Sequence, residues 1–364
     1  MSAPPSDQPL AICYGTRPQV IKASVLIDAL APRWPLLTVD TGQHYDYELN
    51  ALLYEQLGVR KPDLLLEVGS DSHGRQTAAV LVKAAEVLEA RRPWAAVVIG
   101  DTNSTLGATL AATKLRIPVV HVEAGLRASD PLMAEEINRR AVDAVAAVLC
   151  APSRQAADRL RTERRDAQIA LTGDVARDVL ERNLARIESG SRKVVEPFVL
   201  ATLHRAELTD DLEALRSVLI GLSRLPLPVR LPIHPRTRRV LEGHGLLSLV
   251  GANVRVTPPL GYLETVETIS AARVVVTDSG GVQREAYWLG TPCITLRRET
   301  EWTETLTCHA NRLLAPSEAA AELPGLVAAR ASAGRGAWDR TVYGTGDAAV
   351  KIADAISGLA ARRR

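Results

Sequence analysis

The sequence predicts an α/β fold of two doubly wound parallel sheets that face one another. Three observations predict it. Short apolar, β-branched runs alternate with stretches of helical periodicity along most of the chain, which is the pattern of βαβ units. The alternation stops at a polar, loosely patterned segment, ESGSRKVVEP (188–197), and then restarts, so the second half repeats the architecture without repeating the sequence. With 364 residues, 46% of them hydrophobic, the chain can bury two cores, because a domain usually holds about 100 to 200 residues.

Taken in order, the strands expected in the first half are LAICYG (10–15), LLTVD (36–40), AAVVIG (95–100), PVVHVE (118–123), AAVLCAP (146–152) and IALTGD (169–174). The second half offers FVLATLH (198–204), PVRLPIH (228–234), NVRVTP (253–258), RVVVTD (273–278) and PCITL (292–296). All are short, apolar on both faces and separated by helical segments, as buried parallel strands are. The expected partition is a first domain over 1–185, a second over 186–345, and a C-terminal helix over 346–364 that packs across both. That last segment, GDAAVKIADAISGLAARRR, is amphipathic and ends in cations suited to a helix C-terminus. In such folds ligands sit beyond the carboxyl ends of the strands, so the residues that follow each strand are the candidates.

Composition narrows the function. A formal net charge of +2 gives no excess for wrapping nucleic acid or lying on an anionic membrane, and 4% aromatic residues leave little to stack on bases. A small molecule is the expected partner. Cys13, Cys150, Cys293 and Cys308 are far apart and form no CxxC or zinc spacing, which fits free thiols in a reducing compartment. The opening MSAPPSDQPL has neither the basic nor the long apolar part of a signal peptide, and no apolar run approaches the ~18 residues of a membrane span. A soluble cytoplasmic protein is expected.

The most informative local pattern is VVVTDSGGVQREA (274–286). A strand ends at Asp278, Ser279 can cap the next helix, and Gly280 and Gly281 remove the side chains that would keep an anion from the helix's free N–H groups. Glu285, one turn in, could accept from a ribose diol. The same string also suits a plain strand-to-helix turn. YGTRPQVIK (14–22) has the same form, with Gly15 permitting close approach, Arg17 matching phosphate oxygens and Lys22 on the following helix. LHRAE (203–207) sets His204 and Arg205 after the first strand of the second half, where they could hold a diphosphate or simply be solvated. His234 in PIHPRTR (232–238) is a weaker candidate, since the flanking prolines already account for the segment.

Acidic residues follow two buried strands, Asp101 in VVIGDTNST and Glu123 in PVVHVEAG. Charges there are either paired or functional. Asp130 and Pro131 read as the N-cap and first turn of a helix containing Glu135 and Glu136, each four residues before an arginine. Glu135–Arg139 and Glu136–Arg140 pairs on a solvent face would explain those two acids, but not Asp101 or Glu123.

As an ordered set, GTRPQVIK, TGQHYD (41–46), GDTNSTL (100–106), HVEAGLR (121–127), EEINR (135–139), LHR (203–205), TDSGG with Glu285, and RRETEWTE (297–304) resemble the non-hydrolysing UDP-N-acetylglucosamine 2-epimerase family. The motifs stand in the family's order and cover nearly the whole chain. The resemblance implies two Rossmann-like domains flanking a cleft, the GT-B-like arrangement also used by a large class of glycosyltransferases, and a homodimer. It implies inversion at C2 of a UDP-N-acetylhexosamine by anti elimination of UDP to a 2-acetamidoglucal and re-addition, with no metal or redox cofactor. By motif match Asp101, Glu123 and Glu135 are the acids and bases, and His204 and Arg17 steady the departing UDP. The Ser279–Gly281 turn and Glu285 hold phosphate and ribose, with Lys22 and Arg139 as further contacts. Gln43 and His44 in TGQHYD, and Arg75 and Gln76 in SHGRQT (72–77), match loops that border an activating second substrate molecule in bacterial relatives. Gln19, the run HRAE and TEWTE depart from the N-acetylglucosamine branch toward the one acting on UDP-2,3-diacetamido-2,3-dideoxyglucuronate, and Ala134 stands where a proline usually precedes the two glutamates. A glycosyltransferase of the same architecture and a non-catalytic nucleotide-sugar-binding protein are the competing expectations.

Overall fold

The computed structural model describes residues 8–43, 59–188 and 196–362. These form two compact units, Met1–Arg182 with Thr341–Arg364, and Asn183–Arg340.

The first unit is a seven-stranded sheet in the order β3-β2-β1-β4-β5-β6-β7, every pairing parallel. Its strands are β1 (Leu10–Tyr14), β2 (Leu36–Asp40), β3 (Leu64–Leu65), β4 (Ala95–Ile99), β5 (Val119–Val122), β6 (Val148–Ala151) and β7 (Gln168–Leu171). Between them run α1 (Arg17–Leu30), α2 (His73–Arg91), α3 (Asn103–Lys114), α4 (Ala134–Val145), α5 (Arg154–Glu163) and α6 (Val175–Glu188). β1 and β4 are buried along their whole length, which is why they read as unbroken apolar runs. The order reverses between β1 and β4, paired at Ile12↔Val97, and β5 follows at Val98↔His121.

The second unit is a six-stranded parallel sheet, β10-β9-β8-β11-β12-β13. Here β8 is Val199–Thr202, β9 Val229–Pro232, β10 Val254–Thr257, β11 Val274–Thr277, β12 Cys293–Thr295 and β13 Asn311–Leu313. The helices are α7 (Ala206–Thr209), α8 (Leu212–Ser223), α9 (Pro235–Gly243), α10 (Tyr262–Ala271), α11 (Gly280–Leu289) and α12 (Ala319–Ala333). Val199, Leu231, Val276 and Ile294 from the sheet close one core with Leu215, Leu219 and Leu323 from α8 and α12. The order again reverses after its first strand, between β8 and β11.

Two edge strands, β3 and β13, have no counterpart in the sequence reading, because two or three residues make no recognisable run. The C-terminal helix α13 (Ala348–Arg362) also differs from expectation: it belongs to the first unit, packing on α1, β6 and β7, and the chain re-enters that unit at Thr341. Asp178 on α6 fixes its start by accepting from the N–H groups of Ala348 at 3.0 Å and Ala349 at 2.7 Å. Cys13, Cys150 and Cys293 are buried free thiols, each pushed up to about 12 by burial. Among the described residues no helix is long and apolar enough to cross a membrane.

Candidate active site

In the second unit the segments just after β8 and β11, the strands flanking the order reversal, carry His204, Arg205, Ser279, Gly280, Gly281 and Glu285, where a ligand-binding α/β sheet places its contacts; in the first unit the candidates are spread over the turns after β1, β4 and β5 and the helices α1, α2 and α4. In the first unit the β1–α1 turn is built on Gln19. Its Oε1 accepts from the N–H groups of Gly15 at 2.9 Å and Thr16 at 3.1 Å, while Nε2 donates to the Ile99 carbonyl at 2.6 Å and contacts Thr102 and Thr105. One buried amide thus ties the turn after β1 to the turn after β4. Gly15 is required by the protein itself: a Cβ there would lie 1.9 Å from Thr41 Oγ1 and 2.3 Å from Ser104 Oγ. Arg17, at the first position of α1, is half-buried and has no hydrogen-bond or ion-pair partner among the described residues.

The acids come next. Asp101 follows β4 and is 31% exposed; Arg139 on α4 reaches its Oδ2 through Nε at 2.9 Å and Nη2 at 2.6 Å. Oδ1 has no partner among the described residues. Glu123 follows β5 in a left-handed conformation, φ +69°, an arrangement that costs a side-chain-bearing residue on the order of 1–3 kcal/mol. Lys22 on α1 pairs with both its oxygens, at 2.7 and 2.6 Å, with both side chains nearly buried. Gly100, just before Asp101, is also left-handed, and its missing side chain makes room for Glu123 Oε2, 3.2 Å from where a Cβ would stand.

The region of Glu135 corrects two expectations. The helix begins at Ala134 with Met133 as its cap; Asp130 instead closes a turn by accepting from Leu132 N–H at 2.9 Å. Arg139 pairs with Asp101 and with Glu136, not with Glu135. Glu136 is wholly buried and accepts from Ala128 N–H at 2.8 Å, Arg139 at 3.1 Å and Arg140 at 2.7 Å. Glu135, half-buried in the first turn of α4, has no hydrogen-bond or ion-pair partner among the described residues.

In the second unit Asp278, at the end of β11, organises the turn after β8. Its Oδ2 accepts from the N–H groups of His204 at 2.8 Å and Arg205 at 2.9 Å, and its Oδ1 lies 3.0 Å from His204 Nδ1. Burial raises the Asp278 carboxyl, but the hydrogen bonds and charge of His204 and the two N–H groups outweigh it and hold the group below the usual carboxylate range. With Nδ1 turned to Asp278, the 47%-exposed ring leaves Nε2 without a protein partner among the described residues. Ser279 caps α11 by accepting from Val282 N–H at 3.3 Å, with Gly280 and Gly281 as the first helical residues. Gly280 also lets Trp302 pack against the turn, 3.1 Å from where a Cβ would stand, and Arg284 stacks on Trp302 at 3.8 Å. Glu285 lies one turn into α11, and Arg205 is 3.5 Å from Glu207. His234 serves as the cap of α9 by accepting from Arg236 N–H at 3.2 Å.

Gln43 and Gln76 are buried: Gln43 Oε1 accepts from Ser104 N–H and Oγ, and Gln76 bridges Gly69 and Asn103. Arg75 is exposed. His44 lies outside the described residues. Residues that the motifs did not single out are Asp278, the organiser of the His204 turn, and Asp143, the buried partner of His121. Neither acid has its histidine partner within its own segment: His121 lies 22 residues from Asp143, and His204 lies 74 residues from Asp278.

The family model for UDP-N-acetylglucosamine 2-epimerase matches residues 30–357. The chain belongs to the UDP-N-acetylglucosamine 2-epimerase family. Within that family it is 42% identical to the UDP-2,3-diacetamido-2,3-dideoxy-D-glucuronate 2-epimerase of Pseudomonas aeruginosa, over 95% of this chain and 98% of that one. It is 37% identical to the UDP-N-acetylglucosamine 2-epimerase of Methanocaldococcus jannaschii, over 84% and 88% of the two chains. The crystal structure of the M. jannaschii UDP-GlcNAc 2-epimerase in complex with UDP-GlcNAc and UDP is similar with a TM-score of 0.89 at 35% identity, covering 96% of this chain and all of that one. The two parallel sheets are therefore the family's GT-B-like architecture.

Proposed function

We propose that the protein is a non-hydrolysing UDP-N-acetylglucosamine 2-epimerase that inverts C2 of a UDP-N-acetylhexosamine. The observation carrying this reading is a pair of carboxylates, Asp101 and Glu123, at the ends of the adjacent strands β4 and β5, each held by its own cation. The Oδ1 of Asp101 is left open, and Glu135 stands without a protein partner among the described residues.

Such a set suits a proton transfer that only becomes possible once a leaving group departs. The C2 proton of the resting sugar is not acidic, since no carbonyl adjoins it. As the C1–O bond to UDP breaks, positive character at C1 acidifies C2–H. A carboxylate takes the proton, C1=C2 forms, and 2-acetamidoglucal and UDP result. Protonation of C2 from the opposite face, with return of the UDP oxygen to C1, gives the epimer. Asp101, Glu123 and Glu135 are the acid and base groups in this reading, with Lys22 and Arg139 aiming the first two. In the same reading His204, Arg205 and the N-terminus of α11 at Ser279, Gly280 and Gly281 receive the diphosphate, Glu285 the ribose hydroxyls, and Arg17 is a further cation for the departing phosphate.

A second substrate, UDP-2,3-diacetamido-2,3-dideoxyglucuronate, is favoured by the identity to the Pseudomonas enzyme over nearly the full length of both chains. The reading extends to a cytoplasmic homodimer serving cell-envelope polysaccharide synthesis, supported by the buried free thiols and by the family. The test is conversion of each UDP-sugar followed by proton NMR. A C2 epimer from either one supports the reading; binding without conversion of both, or transfer of the sugar to an added acceptor, contradicts it.

A further inference from the structure

His121, on β5, is fully buried with both ring nitrogens committed. Nδ1 is 2.7 Å from Asp143 Oδ1 on α4, and Nε2 is 2.8 Å from the carbonyl oxygen of Gly100. A carboxylate and a carbonyl are both acceptors, so the two contacts call for two ring donors. The other Asp143 oxygen accepts from Gly125 N–H at 3.1 Å and Arg127 at 2.7 Å, and Arg127 continues to Glu163. Donors and acceptors alternate along these four side chains.

The placement of the anchors matters. His121 and Gly125 stand two residues to either side of Glu123, so a single carboxylate grips both flanks of its left-handed turn. Gly100 immediately precedes Asp101. Asp143 therefore reaches both acid-bearing turns from α4, the helix that also carries Arg139 and Glu135. Stability alone is a poor reason for this arrangement, because a buried ion pair gains little over well-packed apolar residues of similar volume. What directional, charge-assisted bonds add is a fixed geometry.

We infer that His121, held as an imidazolium by Asp143, is a positioning residue that fixes the Asp101 and Glu123 carboxylates relative to one another for proton transfer at C2. The inference rests on the epimerase reading above. Three variants of the full chain test it. His121→Asn keeps a donor toward Asp143 and loses the one to Gly100, His121→Gln does the reverse, and Asp143→Asn keeps an acceptor for Gly125 while removing the charge. Each is expected to lower kcat about 10- to 100-fold, the scale of a misplacement near 1 Å. KM and the Kd for UDP should stay within about 3-fold, since the loss falls on the transition state. Deuterium exchange at C2 should slow in step with epimerisation. A folded His121 variant with parental kcat, or one whose loss lies wholly in KM, overturns the inference. Should the variants fail to fold, nitrogen-15 NMR of the parent protein decides: two protonated ring nitrogens are expected at neutral pH, and a single-proton tautomer overturns it. A parent that exchanges no deuterium at C2 contradicts the epimerase reading itself, so the two failures are distinguishable.

Discussion

Arg139 closes on Asp101 with two nitrogens, Nε at 2.9 Å and Nη2 at 2.6 Å, both on Oδ2, and turns Nη1 to the buried Glu136 at 3.1 Å. The guanidinium is thereby fixed from both sides, and Asp101 offers Oδ1 in a set direction. Under the proposed function Asp101→Asn removes an acid–base group while keeping the size of the side chain, so kcat should fall about 10²- to 10⁴-fold with UDP affinity nearly unchanged. Steady-state kinetics and calorimetric titration with UDP check it. Arg139→Lys should give a smaller loss in kcat, because an ammonium cannot reach Asp101 and Glu136 in the same planar fork.

Gly15→Ala places a methyl group onto Thr41 Oγ1 and Ser104 Oγ, which are themselves hydrogen-bonded at 2.6 Å and buried. Neither can yield without losing its partner. Overpacking of this kind costs about 1–3 kcal/mol or more, and a lowered midpoint in urea denaturation is the expected outcome.

Asp178 holds the first N–H groups of α13. Burial raises its carboxyl, against the two N–H bonds, and Asp174 and Asp347 add repulsion, so its value to the fold lies in its oxygens more than its charge. Asp178→Ala should cost about 1 kcal/mol and speed hydrogen exchange in the first turn of α13, whereas Asp178→Asn, which keeps one acceptor oxygen and turns an NH2 toward the other N–H, should restore only part of that loss.

Acid should loosen both units through Asp143 and Asp278. Burial raises each carboxyl, but His121 and Arg127 at the first, and His204 with two backbone N–H groups at the second, hold both below the ordinary value of 3.8. The sign follows: a depressed carboxyl gives stability that is present in full above its unfolded pKa and is lost as pH falls through the lower folded value. Thermal melts should therefore be insensitive to these groups near neutrality and fall steeply below about pH 4. Asp143→Asn and Asp278→Asn should each flatten that fall.

Much of this was legible in the sequence for a physical reason. Strands buried on both faces are continuous apolar runs, so β1, β4 and β11 announced themselves, and the polar residues that end them marked the turns. The Ser279 cap and the two glycines behind it followed from local rules. Pairing did not. Arg139 chose Asp101, 38 residues away, and Glu136 over the expected Glu135, and Glu136, which looked fit for water, proved the most buried acid of α4. The contacts of Gln43 with Ser104, and of Gln76 with Asn103, also join distant segments. The short edge strands β3 and β13 and the docking of α13 on the first unit likewise depend on contacts that no local pattern encodes.

The most direct test follows the C2 hydrogen of UDP-N-acetylglucosamine, or of its diacetamidoglucuronate counterpart, during turnover in deuterated water. Deuterium at C2 of the epimer, with slower appearance in the recovered substrate and none at other ring carbons, is the expected result. An epimer that keeps protium at C2, or a sugar that returns unchanged after prolonged incubation, would contradict a proton-transfer role for Asp101 and Glu123.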